Sequence, residues 1–118
     1  HVFFGDKSAK SIALTRRNIE YCKIGDRCTV IHGDWEQVLR RIKEPVDIFF
    51  LDPPYQAGLT VRCIETIDAL SLLLPGGLLV AEHSDKEKLP EEIGRYTVWK
   101  EKRYGEIVIT IYLYDTEE

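Results

Sequence analysis

Residues 46–51, Val-Asp-Ile-Phe-Phe-Leu, form an apolar run interrupted only by Asp47 and closed abruptly by Asp52-Pro53-Pro54-Tyr55. A run of this length without clean in–out alternation predicts a parallel strand covered on both faces. The two prolines carry no amide hydrogens for a ladder, so the strand has to stop there. Parallel neighbours can be joined only by long crossover connections, usually helices. The constraint therefore reaches into the flanking sequence.

The flanks meet it. Val2–Phe4 predicts a short buried strand ending at Gly5-Asp6, and Lys7 to about Lys23 a helix with Ala9, Ile12, Ala13, Ile19 and Cys22 near helical spacing. Gly25-Asp26 is the expected stop. Cys28–Ile31 predicts a second strand. Asp34 followed by Gln37 resembles a capping box opening a short helix, Trp35 to Lys43, which Pro45 breaks. Leu59 to about Leu73 predicts a helix with Val61, Ile64, Ile67, Leu70 and Leu74 on one face. Pro75-Gly76-Gly77 predicts a turn, Leu78–Ala81 a buried strand ending at Glu82-His83, and residues 84–94 a charged surface excursion with a short helical turn. Tyr96–Lys102 and Glu106–Tyr114 alternate as an antiparallel hairpin joined through Tyr104-Gly105. The order β-α-β-α-β-α-β plus a hairpin predicts an α/β fold: a mostly parallel sheet with right-handed crossovers and an antiparallel C-terminal part.

Composition narrows the function classes. The 118 residues suit one small domain, and 44% hydrophobic with 31% charged residues suit a globular chain. No apolar stretch approaches the roughly 20 residues of a membrane span, so no membrane association is expected. Three cysteines without C-x-x-C spacing argue against a disulfide framework or a structural metal site and fit a reducing, cytoplasmic compartment. A net charge of −4 argues against a strong non-specific grip on nucleic acid while leaving room for a local basic face. There is no methionine, even at position 1, so the expectation is a single partial domain over residues 1–118 whose natural N-terminal part is absent.

In open parallel sheets, ligands bind at the carboxyl ends of the strands. Three such ends carry an acid: Asp6, Asp34 and Asp52. Singly, Asp6 and Asp34 read as helix caps and Asp52 as the start of a proline turn. Together they suggest a crevice lined with hydrogen-bond acceptors.

The tetrapeptide Asp52-Pro53-Pro54-Tyr55 is the sharpest signal, and it resembles motif IV of methyltransferases that act on exocyclic amino groups of bases. With Val2-Phe3-Phe4-Gly5-Asp6-Lys7, the helix around Asn18, Gly33-Asp34-Trp35, residues 74–83 and the closing hairpin, the whole chain resembles the later part of a class I methyltransferase with a Rossmann-like sheet. Within that class it is most similar to the RsmD-like guanine-N2 methyltransferases of small-subunit rRNA. The resemblance implies S-adenosylmethionine as cofactor, with Asp6 and its neighbour Lys7 at the ribose hydroxyls, Asp34 at the adenine amino group and Trp35 beside the adenine ring. A buried first-turn helix residue is an equal reading of Trp35. It also implies catalytic roles for Asp52, Pro53, Pro54 and Tyr55. A base amino group is a poor nucleophile, and acceptors on its N–H groups stabilise the charge developing on nitrogen. The Asp52 carboxylate and Pro53 carbonyl would supply them, the prolines would fix the backbone, and Tyr55 would stack on the extruded base. No metal is needed.

The departure from the class is the Gly-rich first loop and the first strand, which this sequence lacks. Its absence predicts unpaired edges on Val2–Phe4 and Val46–Leu51 unless the chain closes the gap itself, pairs with another copy or is completed by a larger domain, and it predicts weak cofactor binding by the chain alone. The implied partner is ribosomal RNA or the small ribosomal subunit. Two alternatives stand beside this: an adenine-N6 methyltransferase acting on DNA or RNA, and a non-catalytic structural remnant or dimerising half-domain. His32 and His83 read as rim residues. Arg40, Arg41, Lys43, Arg62, Lys100, Lys102 and Arg103 read as solvated or phosphate-touching cations, and the cysteines as core or half-buried residues.

Overall fold

The computed structural model describes residues 1–53 and 57–116. The chain divides into two compact units, His1–Lys43 and Glu44–Glu118. Among the described residues no helix is long and apolar enough to cross a membrane, and no cluster of His, Cys, Asp and Glu could hold a metal ion.

The first unit is a β-α-β crossover with a second helix. Strands β1 (Val2–Asp6) and β2 (Cys28–His32) pair in parallel from Val2↔Cys28 to Asp6↔His32. Helix α1 (Ala9–Cys22) is N-capped by Ser8, whose Oγ accepts from Ser11 N at 3.2 Å. It ends earlier than Gly25. Lys23 takes the left-handed conformation at φ 58°, and Ile24 N bonds Ile19 O while Lys23 N bonds Glu20 O. This is a Schellman cap built without glycine, and Gly25–Arg27 forms a separate 3₁₀ turn. Helix α2 (Trp35–Arg41) opens with the expected capping box but stops at Arg41, well before Pro45. The core is thin: Ile12, Ile19, Ile31, Leu39 and Ile42 are buried, whereas Val2 is 47% exposed and Cys22 is exposed. The expectations of a buried Val2–Phe4 and a sheltered Cys22 are therefore corrected. With two strands and two helices, the unit has too few elements to cover every apolar side chain of β1.

The second unit is a five-stranded sheet in the order β3-β4-β7-β6-β5, comprising β3 (Val46–Leu51), β4 (Leu73–Ser84), β5 (Glu92–Ile93), β6 (Tyr96–Tyr104) and β7 (Ile107–Tyr114). β3 and β4 are parallel, joined by α3 (Leu59–Ala69), and the remaining pairs are antiparallel. Pro75-Gly76-Gly77 is not a turn. It lies inside the 12-residue β4, where Val46↔Leu73 is followed by Ile48↔Leu78, so β4 bulges by several residues. Gly76, at φ 82°, supplies the left-handed backbone the bulge requires. The expected short turn in residues 84–94 is a single hydrogen-bonded turn at Ser84–Glu87, where Glu87 N donates to Ser84 O at 3.0 Å, and it is followed by the two-residue β5. α3 also ends early, at Ala69. Ser71 at φ 52° makes a second glycine-free Schellman cap, with Leu72 N on Ile67 O at 3.0 Å and Ser71 N on Asp68 O at 3.0 Å.

The two faces of this sheet differ. Phe49, Leu79, Ala81, Val108, Thr110 and Tyr112 are buried on the face where α3 contributes Cys63, Ile64 and Ile67. On the other face Ile48 is 63% and Phe50 is 64% exposed, so β3 is covered on one side only, contrary to the two-sided burial its apolar run predicts. Arg95 ties the end of α3 to the start of β6. Its guanidinium donates to Asp68 Oδ1 and to Asp68 O, both at 2.6 Å, and lies over the Tyr114 ring at 5.2 Å.

Two fully buried tyrosines allow a sharp comparison. Tyr112 OH donates to Pro90 O at 2.6 Å, whereas Tyr96 OH has no partner among the described residues. Tyr112→Phe is expected to cost about 1 kcal/mol in a denaturant titration, and Tyr96→Phe to be neutral or stabilising, because it removes an unsatisfied hydroxyl. Burial also pushes Tyr112 and Tyr96 up to about 12 and the Cys63 thiol up to about 11. These groups hold their protons longer folded than unfolded. Their contribution to stability is complete below about pH 9 and lost as pH rises through 11 and 12. Melting temperatures from pH 8 to 12 should show that alkaline decline.

Candidate cofactor and amino-methylation site

The candidate residues fall at carboxyl ends of parallel strands in both units. In the first unit, β1 ends at Asp6 and β2 at His32, so the loops that follow leave the same end of the sheet. Asp6 closes a tight turn: its Oδ1 accepts from Ser8 N at 2.9 Å, and its carbonyl accepts from Gly33 N at 2.9 Å. His32 Nε2 donates to Lys7 O at 2.9 Å, cross-linking the two loops. Asp34 is the N-cap of α2. Its Oδ1 accepts from Gln37 N at 2.9 Å, and Gln37 Oε1 accepts from Asp34 N at 3.0 Å. The capping box and the positive end of the helix dipole hold this carboxylate in one orientation. Trp35 follows, half-buried in the first turn of α2.

Gly5 makes this arrangement possible. A β-carbon there would collide with Val38 Cγ1 and lie 2.9 Å from Cγ2. α2 therefore crosses β1 at a distance only glycine permits, which sets its N-terminus beside the end of β1. Asp6, Lys7, Asp34 and Trp35 are thus brought together at one end of the two-stranded sheet.

The two acids form a set of hydrogen-bond acceptors with capacity left over. Asp6 and Asp34 are exposed carboxylates, each spending one oxygen on a backbone amide. Ribose hydroxyls and an adenine amino group are donors that need such acceptors. A concavity lined by Arg16, Ile19, Glu20, Lys23, Gly25, Cys28 and Val30 lies at the opposite, amino end of β2 and plays no part in this arrangement.

In the second unit, Asp52 stands exposed one residue beyond β3, with Pro53 half-buried after it. Leu51 pairs with Ala81, so Asp52 leaves the sheet beside Glu82-His83 of β4. Pro54 and Tyr55 lie outside the described residues. His83 is structural: Nδ1 donates to Ser84 O at 3.0 Å, Nε2 lies 2.7 Å from Thr110 Oγ1, and Thr110 donates to Glu101 at 3.1 Å. This chain of contacts stitches β4 to β7 and β6. The positioning roles of His32 and Gln37 are not legible from sequence beyond the Asp34–Gln37 spacing, because His32 acts through a loop carbonyl 25 residues away.

The model of the family described as conserved hypothetical protein 95 matches residues 1–113. A curated Bacillus subtilis relative described as "Putative rRNA methyltransferase YlbH" is 29% identical over 115 residues, 95% of this chain and 62% of the relative. The chain thus spans under two thirds of the length of that protein. A solved structure of a Streptococcus pyogenes conserved hypothetical protein is 31% identical, with TM-score 0.90 over 98% of this chain and 72% of that one. A Streptococcus mutans structure, described as a "putative methyltransferase" in complex with SAH, has TM-score 0.66 at 19% identity over 94% of this chain and 74% of that one.

The packing of Gly5 gives a direct test. Gly5→Ala is expected to destabilise by about 1–3 kcal/mol through overpacking against Val38. Asp34→Ala should cost about 1 kcal/mol through loss of the cap. Both are measurable by chemical denaturation.

Proposed function

This chain belongs to the conserved hypothetical protein 95 family of RsmD-like class I methyltransferases, and from that premise we propose that the whole protein methylates the exocyclic N2 amino group of a guanine in small-subunit rRNA, with S-adenosylmethionine as cofactor. The observation that carries the reading is Asp52, an exposed carboxylate held at the carboxyl end of a parallel strand and followed at once by Pro53. The Streptococcus mutans neighbour with bound SAH supports the cofactor, and the rRNA methyltransferase description of the Bacillus relative supports the substrate class.

The cofactor, when bound, supplies an electrophilic methyl group on a sulfonium. The chain's own residues do the rest. Asp6 accepts from the ribose hydroxyls, with Lys7 beside it in the loop that His32 fixes. Asp34 accepts from the adenine amino group, and the Trp35 ring packs on the adenine. The Asp52 carboxylate and the Pro53 carbonyl accept the two N–H bonds of the target amino group. That polarises nitrogen as it attacks and stabilises the positive charge that develops on it. Pro53 and Pro54 hold these acceptors in place before reaction, so little ordering is left for the transition state. Tyr55 stacks on the displaced base. Asp52 then takes the proton that the methylated nitrogen loses, directly or through water.

The decisive experiment incubates the whole protein with small ribosomal subunits that lack the modification, and identifies the methylated nucleoside by mass spectrometry. N2-methylguanosine is expected, and N6-methyladenosine would overturn the guanine assignment. Asp52→Asn should lower kcat by about 10²–10³-fold while leaving S-adenosylhomocysteine affinity unchanged in calorimetry. Asp6→Asn should do the reverse, weakening that affinity first.

A further inference from the structure

Strand β6 carries a feature that the proposed chemistry does not use. β5 pairs with Tyr96 and Thr97, and Val98 N still donates to Glu91 O at 2.9 Å, so among the described residues β6 is the edge of its sheet from Trp99 onward. The ladder to β7 slips between Val98 and Lys100, making Trp99 the extra residue of a bulge. Trp99 is 51% and Tyr104 57% exposed, and the Lys100 ammonium sits 4.5 Å from the Trp99 ring centroid.

The charges on β6 are sorted by face. Lys100, Lys102 and Tyr104 pair with Ile111, Ile109 and Ile107, and so share one side of the sheet, at steps of about 7 Å. Glu101 and Arg103 point to the other side, where Glu101 accepts from Thr110 and Arg103 pairs with Asp85 at 2.7 Å. One side of the edge therefore presents two cations flanked by two aromatic rings. Ile107 pairs with Tyr104 and with Ser84, the last residue of β4, so Tyr104 stands at the same end of the sheet as Asp52. Three strand spacings, about 14 Å, separate their strands.

Lysines and a bulge also guard an edge against unwanted strand pairing. An exposed tryptophan and tyrosine work against that purpose. Aromatic faces combined with cations are what single-stranded nucleic acid requires, because every base can stack and every phosphate is anionic. We propose that the Trp99–Tyr104 edge of β6 holds single-stranded RNA flanking the target nucleotide, with bases stacking on Trp99 and Tyr104 and phosphates neutralised by Lys100 and Lys102. The proposal rests on the RNA-substrate reading above and adds to it a surface and a direction of approach toward Asp52.

The test measures fluorescence anisotropy of a labelled, unstructured 12-nucleotide RNA against the wild-type chain, Trp99→Ala, Tyr104→Ala and Lys100→Gln/Lys102→Gln, with circular dichroism checking the fold of each. Each aromatic variant is expected to bind roughly tenfold more weakly, and the double lysine variant to lower the slope of log K against log salt by about 1.4. The lysine variant leaves both rings in place, so it remains informative if Trp99→Ala misfolds. Wild-type affinity and slope in all folded variants would overturn the surface while leaving an RNA substrate intact. No binding by the wild-type chain would overturn the surface, whereas the RNA-substrate reading of the whole protein falls only if the nucleoside analysis above finds no methylated rRNA nucleoside. A monomer–dimer shift caused by Trp99→Ala with unchanged RNA affinity would reassign the edge to self-association.

Discussion

The second unit depends on β4 being paired on both sides, in parallel with β3 and antiparallel with β7. Its inward side chains Leu79 and Ala81 are fully buried, and α3 packs on the same face. Because the β3 pairing is parallel, it fixes where β3 ends, and so where Asp52 is presented. Because the β7 pairing is antiparallel, the hairpin tip returns to that same end. The bulge at Gly76 absorbs the extra residues of β4 without disturbing the register from Ile48↔Leu78 onward. The segment that matters for Asp52 therefore remains regular.

In the first unit, the two carboxylates proposed to hold the cofactor also have structural roles. Asp34 caps α2 through one oxygen, and Asp6 closes its turn through one oxygen. Neither use consumes a carboxylate's capacity to accept further hydrogen bonds. A capping role and a ligand-binding role are thus compatible at both positions, and the cap supplies the rigidity that binding needs. Gly5 adds the geometric condition by admitting α2 to within contact of β1.

Local patterns were readable where the responsible contacts are local. The Asp34–Gln37 spacing identified a capping box that the structure contains, and the alternation after Tyr96 identified the hairpin. The helices α1 and α3 end earlier than their sequence predicts because Lys23 and Ser71 occupy left-handed positions where glycine is the usual signal. In both caps an apolar residue, Ile24 or Leu72, follows the left-handed one and donates its amide to the helix. Pro75-Gly76-Gly77 looked like a turn because its composition is that of a turn. Only the pairing of Leu73 with Val46 shows that the strand has already begun.

By itself the sequence determined the α/β order of elements, the parallel β3 ended by two prolines, and acids at three strand ends. These follow from side-chain periodicity and from proline's missing amide, which act over a few residues. Tertiary structure alone decided which face of β3 is covered, how His32 fixes the Lys7 loop, and how the charges of β6 divide between the two sides of its sheet. Each depends on groups far apart in the chain, and a short-range pattern contains no record of which distant partner an exposed or buried atom will meet.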